Sequence, residues 1–141
     1  MSGKLTSSDY PLAEKRPDLV RTRTGKRLED LTLGALEAGN VALEDLRITP
    51  EALRQQADIA LAAGRPTLAR NFERAAELVD VPQDVILNIY ELLRPGRAKG
   101  KADLLEAAIL LRNTYKAEQM AAFIEEAAQV YERRGLFSKR F

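Results

Sequence analysis

The groups best placed to do chemistry are carboxylates, guanidinium groups and phenols, because the 141-residue chain holds no His and no Cys. Without imidazole there is no base that titrates near neutrality and no imidazole metal ligand. Without thiols, disulfides and thiolate metal sites are excluded. The stretch Gly96-Arg97-Ala98-Lys99-Gly100-Lys101-Ala102 has the look of a phosphate-binding loop. Such a loop needs one more residue between its glycines, and a Ser or Thr after the Lys to reach Mg²⁺. Here Ala102 follows Lys101, and the preceding stretch is patterned as a helix, not a strand. The segment reads as a solvated linker.

Glu118, Glu125, Glu126 and Glu132 share a helical stretch and invite a carboxylate metal site. A di-metal bundle pairs such glutamates with Glu-x-x-His motifs, which this chain cannot supply. They read as an acidic strip facing solvent or a partner. Paired-carboxylate glycoside chemistry needs a cleft between the carboxyls, and no sequence feature supplies one. Arg65, Arg70 and Arg74 would reach DNA if residues 50–79 formed a helix-turn-helix. Glu73, Glu77 and Asp80 lie among them, and Arg70–Glu73 and Arg74–Glu77 are neighbours on one face. A helical hairpin is the expected reading. Tyr10, Tyr90, Tyr115 and Tyr131 read as core or interface anchors with the hydroxyl at a rim. Arg94 and Arg97 flank Pro95-Gly96, where they would clamp a partner's carboxylate or hold a helix end; a structural role is expected. No residue is assigned a catalytic, cofactor-binding or metal-binding role.

The elements that carry these residues are read as all-α. Residues 1–25 are expected to form an extended arm, broken by Pro11 and Pro17 and rich in turn formers. Tyr10, Leu12, Leu19 and Val20 are its apolar anchors, and it is either a loose terminus or an arm lying on another surface. Residues 26–141 are expected to form a compact domain of short helices. A first helix runs from Lys26 or Arg27 to Ala38, carries Leu28, Leu31 and Leu36, and stops at Gly39-Asn40. Val41 to Ile48 is a helical turn or short extended piece with Leu43 and Leu46 pointing inwards.

Thr49 then caps a helix from Pro50 to Ala63, with Leu53, Ala57, Ala60 and Leu61 as its stripe and Gly64 after it. Pro66 opens a helix to Val79 bearing Leu68, Phe72, Ala75, Ala76 and Val79 at helical spacing. Pro82 opens another, with Val85, Ile86, Ile89, Tyr90 and Leu93 on one face. Further helices run from Lys101 or Ala102 to Tyr115 and from about Ala117 to Arg134. The first carries Leu104, Leu105, Ala108, Ile109 and Leu111. The second carries Ala121, Phe123, Ile124, Ala127, Ala128 and Tyr131. Short loops imply antiparallel neighbours.

A chain of this length buries roughly 68–70% of its unfolded surface, enough for a core without covalent staples. Its net charge is +1, unevenly spread. Residues 1–27 carry 7 basic and 3 acidic side chains, residues 28–94 carry 6 and 12, and residues 95–141 carry 9 and 6. The acidic middle argues against a surface that tracks phosphates. No apolar run reaches the ~18 residues of a membrane span, and the N-terminus lacks the apolar region of a signal peptide. Neither nucleic acid nor a membrane is expected as a partner, and the expected location is cytoplasmic.

One further pattern is in the order of short motifs. Asp9-Tyr10-Pro11-Leu12, Thr24-Gly25-Lys26, Leu31-Thr32-Leu33 and Asp45-Leu46-Arg47-Ile48 are followed by Ala69-Arg70-Asn71-Phe72 and Arg74-Ala75-Ala76-Glu77-Leu78. Ile86-Leu87-Asn88-Ile89-Tyr90, Leu93-Arg94-Pro95, Ala121-Ala122-Phe123-Ile124 and Val130-Tyr131 complete the series. Together they resemble the small (gamma) subunit of adenosylcobalamin-dependent diol and glycerol dehydratases across nearly the whole chain.

The resemblance implies a helical, non-catalytic subunit that packs on a large TIM-barrel subunit. It implies a medium subunit as well, in a dimer of heterotrimers. It also implies adenosylcobalamin between the large and medium subunits, not on this chain, and radical dehydration of a 1,2-diol to an aldehyde in the large subunit. Residues 96–103 are more basic than that family's usual acidic, Leu-rich helix, and Lys116 stands near a position where its members often have His. The N-terminus lacks the long extension associated in some members with bacterial microcompartments, which leaves that location open. The alternative expectation is a stand-alone helical DNA-binding or adaptor module.

Overall fold

Proline, threonine and glycine set the helix limits, because each acts on the few backbone groups at a helix end. The computed structural model describes residues 3–137, so residues 1–2 and 138–141 of the expected arm and domain lie outside the described residues. Among the described residues seven α-helices follow in order: α1 (Leu12–Lys15), α2 (Leu33–Glu37), α3 (Pro50–Ala62), α4 (Pro66–Leu78), α5 (Gln83–Leu93), α6 (Lys101–Tyr115) and α7 (Glu118–Arg134). Short 3₁₀ turns occupy Ser7–Asp9, Pro17–Leu19, Leu28–Asp30 and Leu43–Leu46. Among the described residues the only β pairing is an isolated bridge between Arg21 and Arg27. The all-α expectation is met. No helix among them is long and apolar enough to cross a membrane.

The chain forms two compact units, residues 1–79 and 80–141. In the first, α3 and α4 make a helical hairpin. Thr49 Oγ1 accepts the Ala52 amide at 3.1 Å, and Pro50 takes the first helical position, where no amide is needed. At the other end Gly64 adopts φ +74°, so its amide reaches Leu61 O and the Arg65 amide reaches Ala60 O. That arrangement satisfies the last carbonyls of α3 and reverses the chain. Ala57, Ala60 and Ala69 are buried together, with Leu68 and Phe72 packed against them. Small residues at this seam let the two backbones approach closely.

The rest of the first unit departs from the sequence reading in two ways. Residues 3–25 are not extended: they hold α1 and two 3₁₀ turns, Leu5 is buried, and the Ser7–Asp9 turn touches α3. The single helix expected from Lys26 or Arg27 to Ala38 is divided. Asp30 Oδ2 accepts the Arg27 amide at 2.8 Å and closes a 3₁₀ turn, and Thr32 then caps α2 afresh through the Ala35 amide at 3.1 Å. Polar side chains competing for local amides broke the longer helix.

In the second unit α6 and α7 form a hairpin joined by Lys116-Ala117, with Lys116 in the left-handed region at φ +56°. Leu104, Leu111 and Ile124 are fully buried, and Ala108, Ala117, Ala121 and Ala128 fill the space between them. Ile89 of α5 and Ala98 of the following loop are also buried. The Gly96 amide donates to Leu136 O at 2.8 Å, which ties that loop to the residues after α7.

Candidate functional site

Among the described residues of the first unit Asp45 is the one buried carboxylate, with a side chain 2% exposed. Its Oδ2 accepts the Ala42 amide at 3.0 Å, and Lys26 Nζ donates to both of its oxygens at 3.2 Å. The Thr24 hydroxyl donates to Oδ1. Lys26 Nζ also donates to Thr24 Oγ1 at 2.8 Å, and the Thr22 and Thr24 hydroxyls lie 3.2 Å apart. The turn that delivers these groups is closed by Thr22 N–H to Lys26 O and Lys26 N–H to Thr22 Oγ1, each at 3.0 Å. The Ala42 amide and then the Thr24 hydroxyl hold the Asp45 carboxyl far below the usual carboxylate range, against the opposing effect of burial. A carboxylate bonded in this way, and charged at neutral pH, forms a clamp. The motifs 24–26 and 45–48, separate in sequence, are one structure.

The clamp has a second effect. Because Asp45 takes the inward position after the buried Val41, Leu43 and Leu46 turn outwards and are 83% and 64% exposed. The expectation that they point inwards is therefore corrected. Leu28, Leu33, Leu36 and Ile48 are exposed as well. Leu28, Leu31, Leu46 and Ile48 line one open cleft of about 230 Å³. The sequence reading missed this surface. The available signal was an excess of leucines between residues 28 and 48 over what helices of a turn or so could bury.

The second unit presents its own apolar groove, lined in part by Tyr90, Leu93, Pro95, Phe123 and Tyr131. Tyr131 is anchored by donating its hydroxyl to Leu93 O and by its ring lying 6.0 Å from that of Phe137. Tyr90 stands 65% exposed and Tyr10 is also exposed, whereas Tyr115 is half-buried. Arg94, which follows α5, and Arg97 in the loop beyond it both turn back to Glu91 of α5, at 3.1 and 3.2 Å, and so hold the end of that helix.

The other candidate groups are drawn apart or into local pairs. Arg112 of α6 binds both Glu118, at 2.9 Å, and Glu125. Its guanidinium holds the Glu125 carboxyl below the ordinary range, chiefly through their hydrogen bond. Glu132 pairs with Lys101 at 3.2 Å. Glu126 lines the Tyr90 groove. Among the described residues no three of His, Cys, Asp and Glu come together as a metal cluster. In the Gly96–Ala102 stretch the Lys99 amide is taken by Asp103 Oδ2 at 2.9 Å, and Lys101 and Ala102 open α6. Arg65, Arg70 and Arg74 lie at the start of α4 and along it, and Arg74 donates to Asn71 Oδ1.

Comparison with known proteins bears on that surface. A family model described as "Dehydratase small subunit" matches residues 5–138. The chain is 55% identical over 124 residues to a protein of Salmonella typhimurium named "Propanediol dehydratase small subunit", covering 88% of this chain and 71% of that protein. It is 53% identical over 124 residues to a protein of the same name from Citrobacter freundii, covering 88% of this chain and 72% of that one.

Proposed function

This chain belongs to the dehydratase small-subunit family, and we propose that it works as the small subunit of a coenzyme-B12-dependent diol dehydratase, a lyase that converts a 1,2-diol to an aldehyde and water. The observation that carries this reading is the 55% identity to a propanediol dehydratase small subunit over most of both chains. The family sets aside the stand-alone DNA-binding or adaptor module considered from the sequence. As a subunit of an enzyme, the chain acts by contact, in keeping with its clamps and exposed apolar surfaces.

The proposed partners are a large TIM-barrel subunit, which does the chemistry, and a medium subunit, in a dimer of heterotrimers. Residues 1–25 would contribute contacts to the other subunits while packed with the helical residues that follow them. With no His and no Cys, this chain offers neither an imidazole nor a thiolate as a ligand to cobalt. The proposal places the cofactor on the other subunits. The proposed location is the bacterial cytoplasm, including its protein-bounded microcompartments.

The test is reconstitution. The chain alone should be inactive, should co-purify with the large and medium subunits, and should raise their coenzyme-dependent activity on propane-1,2-diol or glycerol. A chain that neither co-purifies nor changes that activity would refute the reading.

A further inference from the structure

Two open clefts of the first unit share Arg21 and Leu28. The one of about 230 Å³ joins the apolar Leu28, Leu46 and Ile48 to the charged Arg21, Lys26 and Arg47, with Asp45 at its wall. The other, of about 430 Å³, adds Pro17, Asp18, Arg27 and Glu29. Each carboxylate of these linings already has a cation. Asp45 holds Lys26 at 3.2 Å and Glu29 pairs with Arg27 at 3.1 Å. Asp18 accepts two hydrogen bonds from the Arg16 guanidinium, at 3.0 and 3.1 Å. Arg21 and Arg47 are left over: both are exposed, and neither enters an ion pair among the described residues. The turn at residues 22–26 also sets Arg21 opposite Arg27 in an antiparallel bridge, where like charges disfavour each other unless an anion is supplied. Glu29 supplies it to Arg27, whereas Asp18, the carboxylate that attracts Arg21, is bonded to Arg16.

We infer that this cleft takes a segment of the large dehydratase subunit that presents apolar side chains together with Asp or Glu. This rests on the proposed function, in which the small subunit packs on the large one. Leu28, Leu46 and Ile48 cover the apolar side chains, and the guanidinium forks of Arg21 and Arg47 take the carboxylates. Arginine beside desolvated apolar surface is the usual make-up of an interface hot spot. The Lys26–Asp45 clamp and the bonded turn at Thr22 hold the cleft's backbone in place, so little conformational freedom is lost on docking. A second copy of this chain is a poor occupant. A two-fold contact would set Arg21 and Arg47 against their own counterparts, and a head-to-tail contact would not close.

The test uses the dehydratase assembled from large, medium and small subunits. Because the chain has no Cys, Leu46→Cys gives it one attachment point for a benzophenone cross-linker inside the cleft. Irradiation of the assembled, active enzyme should join the small subunit to a peptide of the large subunit that contains Asp or Glu. A cross-link to the medium subunit or to a second small subunit, or none at all, would overturn the proposal. Coenzyme-dependent activity titrated against small-subunit concentration gives a second readout. Arg21→Glu/Arg47→Glu should raise the half-maximal concentration about tenfold or more at low salt, less at high salt, with unchanged helicity by circular dichroism. Arg21→Lys/Arg47→Lys, which keeps the charges but loses the forks, should fall between this variant and wild type. Arg54→Glu, at an exposed arginine of α3 that lines neither cleft, should match wild type. A glutamate double variant that assembles like wild type would overturn the cleft's role and leave the function standing. Failure of the wild-type chain to join the complex would instead overturn the function.

Discussion

At Asp45 a carboxylate fills a position that an apolar side chain would take in an ordinary amphipathic turn, and it is kept charged by an amide, hydroxyls and an ammonium group. Its folded pKa lies well below the ordinary 3.8. A carboxylate depressed on folding adds stability that is fully present above its unfolded pKa and is lost as pH falls through the folded value. The thermal midpoint of the wild-type chain should therefore lose this contribution progressively below about pH 4. Asp45→Asn should melt lower than wild type at pH 7, and the gap should narrow towards pH 2. Parallel melting curves for the two proteins across that range would show that the clamp is not coupled to folding. Sequence reading could not identify this clamp, because a lone Asp beside a Leu carries no sign that it is buried.

At the scale of elements, punctuation was legible and stripe width was not. Thr49, Pro50, Gly64, Pro66 and Pro82 mark helix ends within a residue or two of where they fall, since caps act over a single turn. The buried faces are narrower than the apolar stripes. Leu61, Tyr90, Ile109 and Phe123 belong to the apolar stripes read from the sequence but lie substantially exposed beside the buried Ala60, Ile89, Ala108 and Ile124. A single packed neighbour covers a narrow seam of i, i+3 and i+4 positions, and residues at the edge of a stripe stay outside it.

These seams set the expected costs. Thr49→Ala should destabilise by about 1 kcal/mol through loss of the cap. Gly64→Ala should cost about 1–2 kcal/mol, because a side chain is disfavoured at φ +74° although no atom lies in its way. Leu104→Ala, at a fully buried position, should cost about 2–5 kcal/mol. Chemical denaturation reads all three.

For the whole molecule, the first unit depends on residues that the sequence reading had set apart as an arm. Thr22 and Thr24 belong to the clamp and Leu5 is buried, and the expected boundary after residue 25 falls inside the turn that Lys26 closes. Removing residues 1–24 should therefore lower the melting temperature as well as weaken assembly with the other subunits, while the helicity of α3 to α7 largely persists. A truncated chain that melts and assembles like wild type would refute both effects. The absence of His and Cys, the all-helical plan and the family were accessible from the residues alone, since composition, caps and motif order are properties of the chain itself. Which leucines face outwards was not. That depends on Asp45 meeting Lys26 and Thr24, 19 and 21 residues away, and the energy of a buried carboxylate exists only once the fold has brought its partners to it.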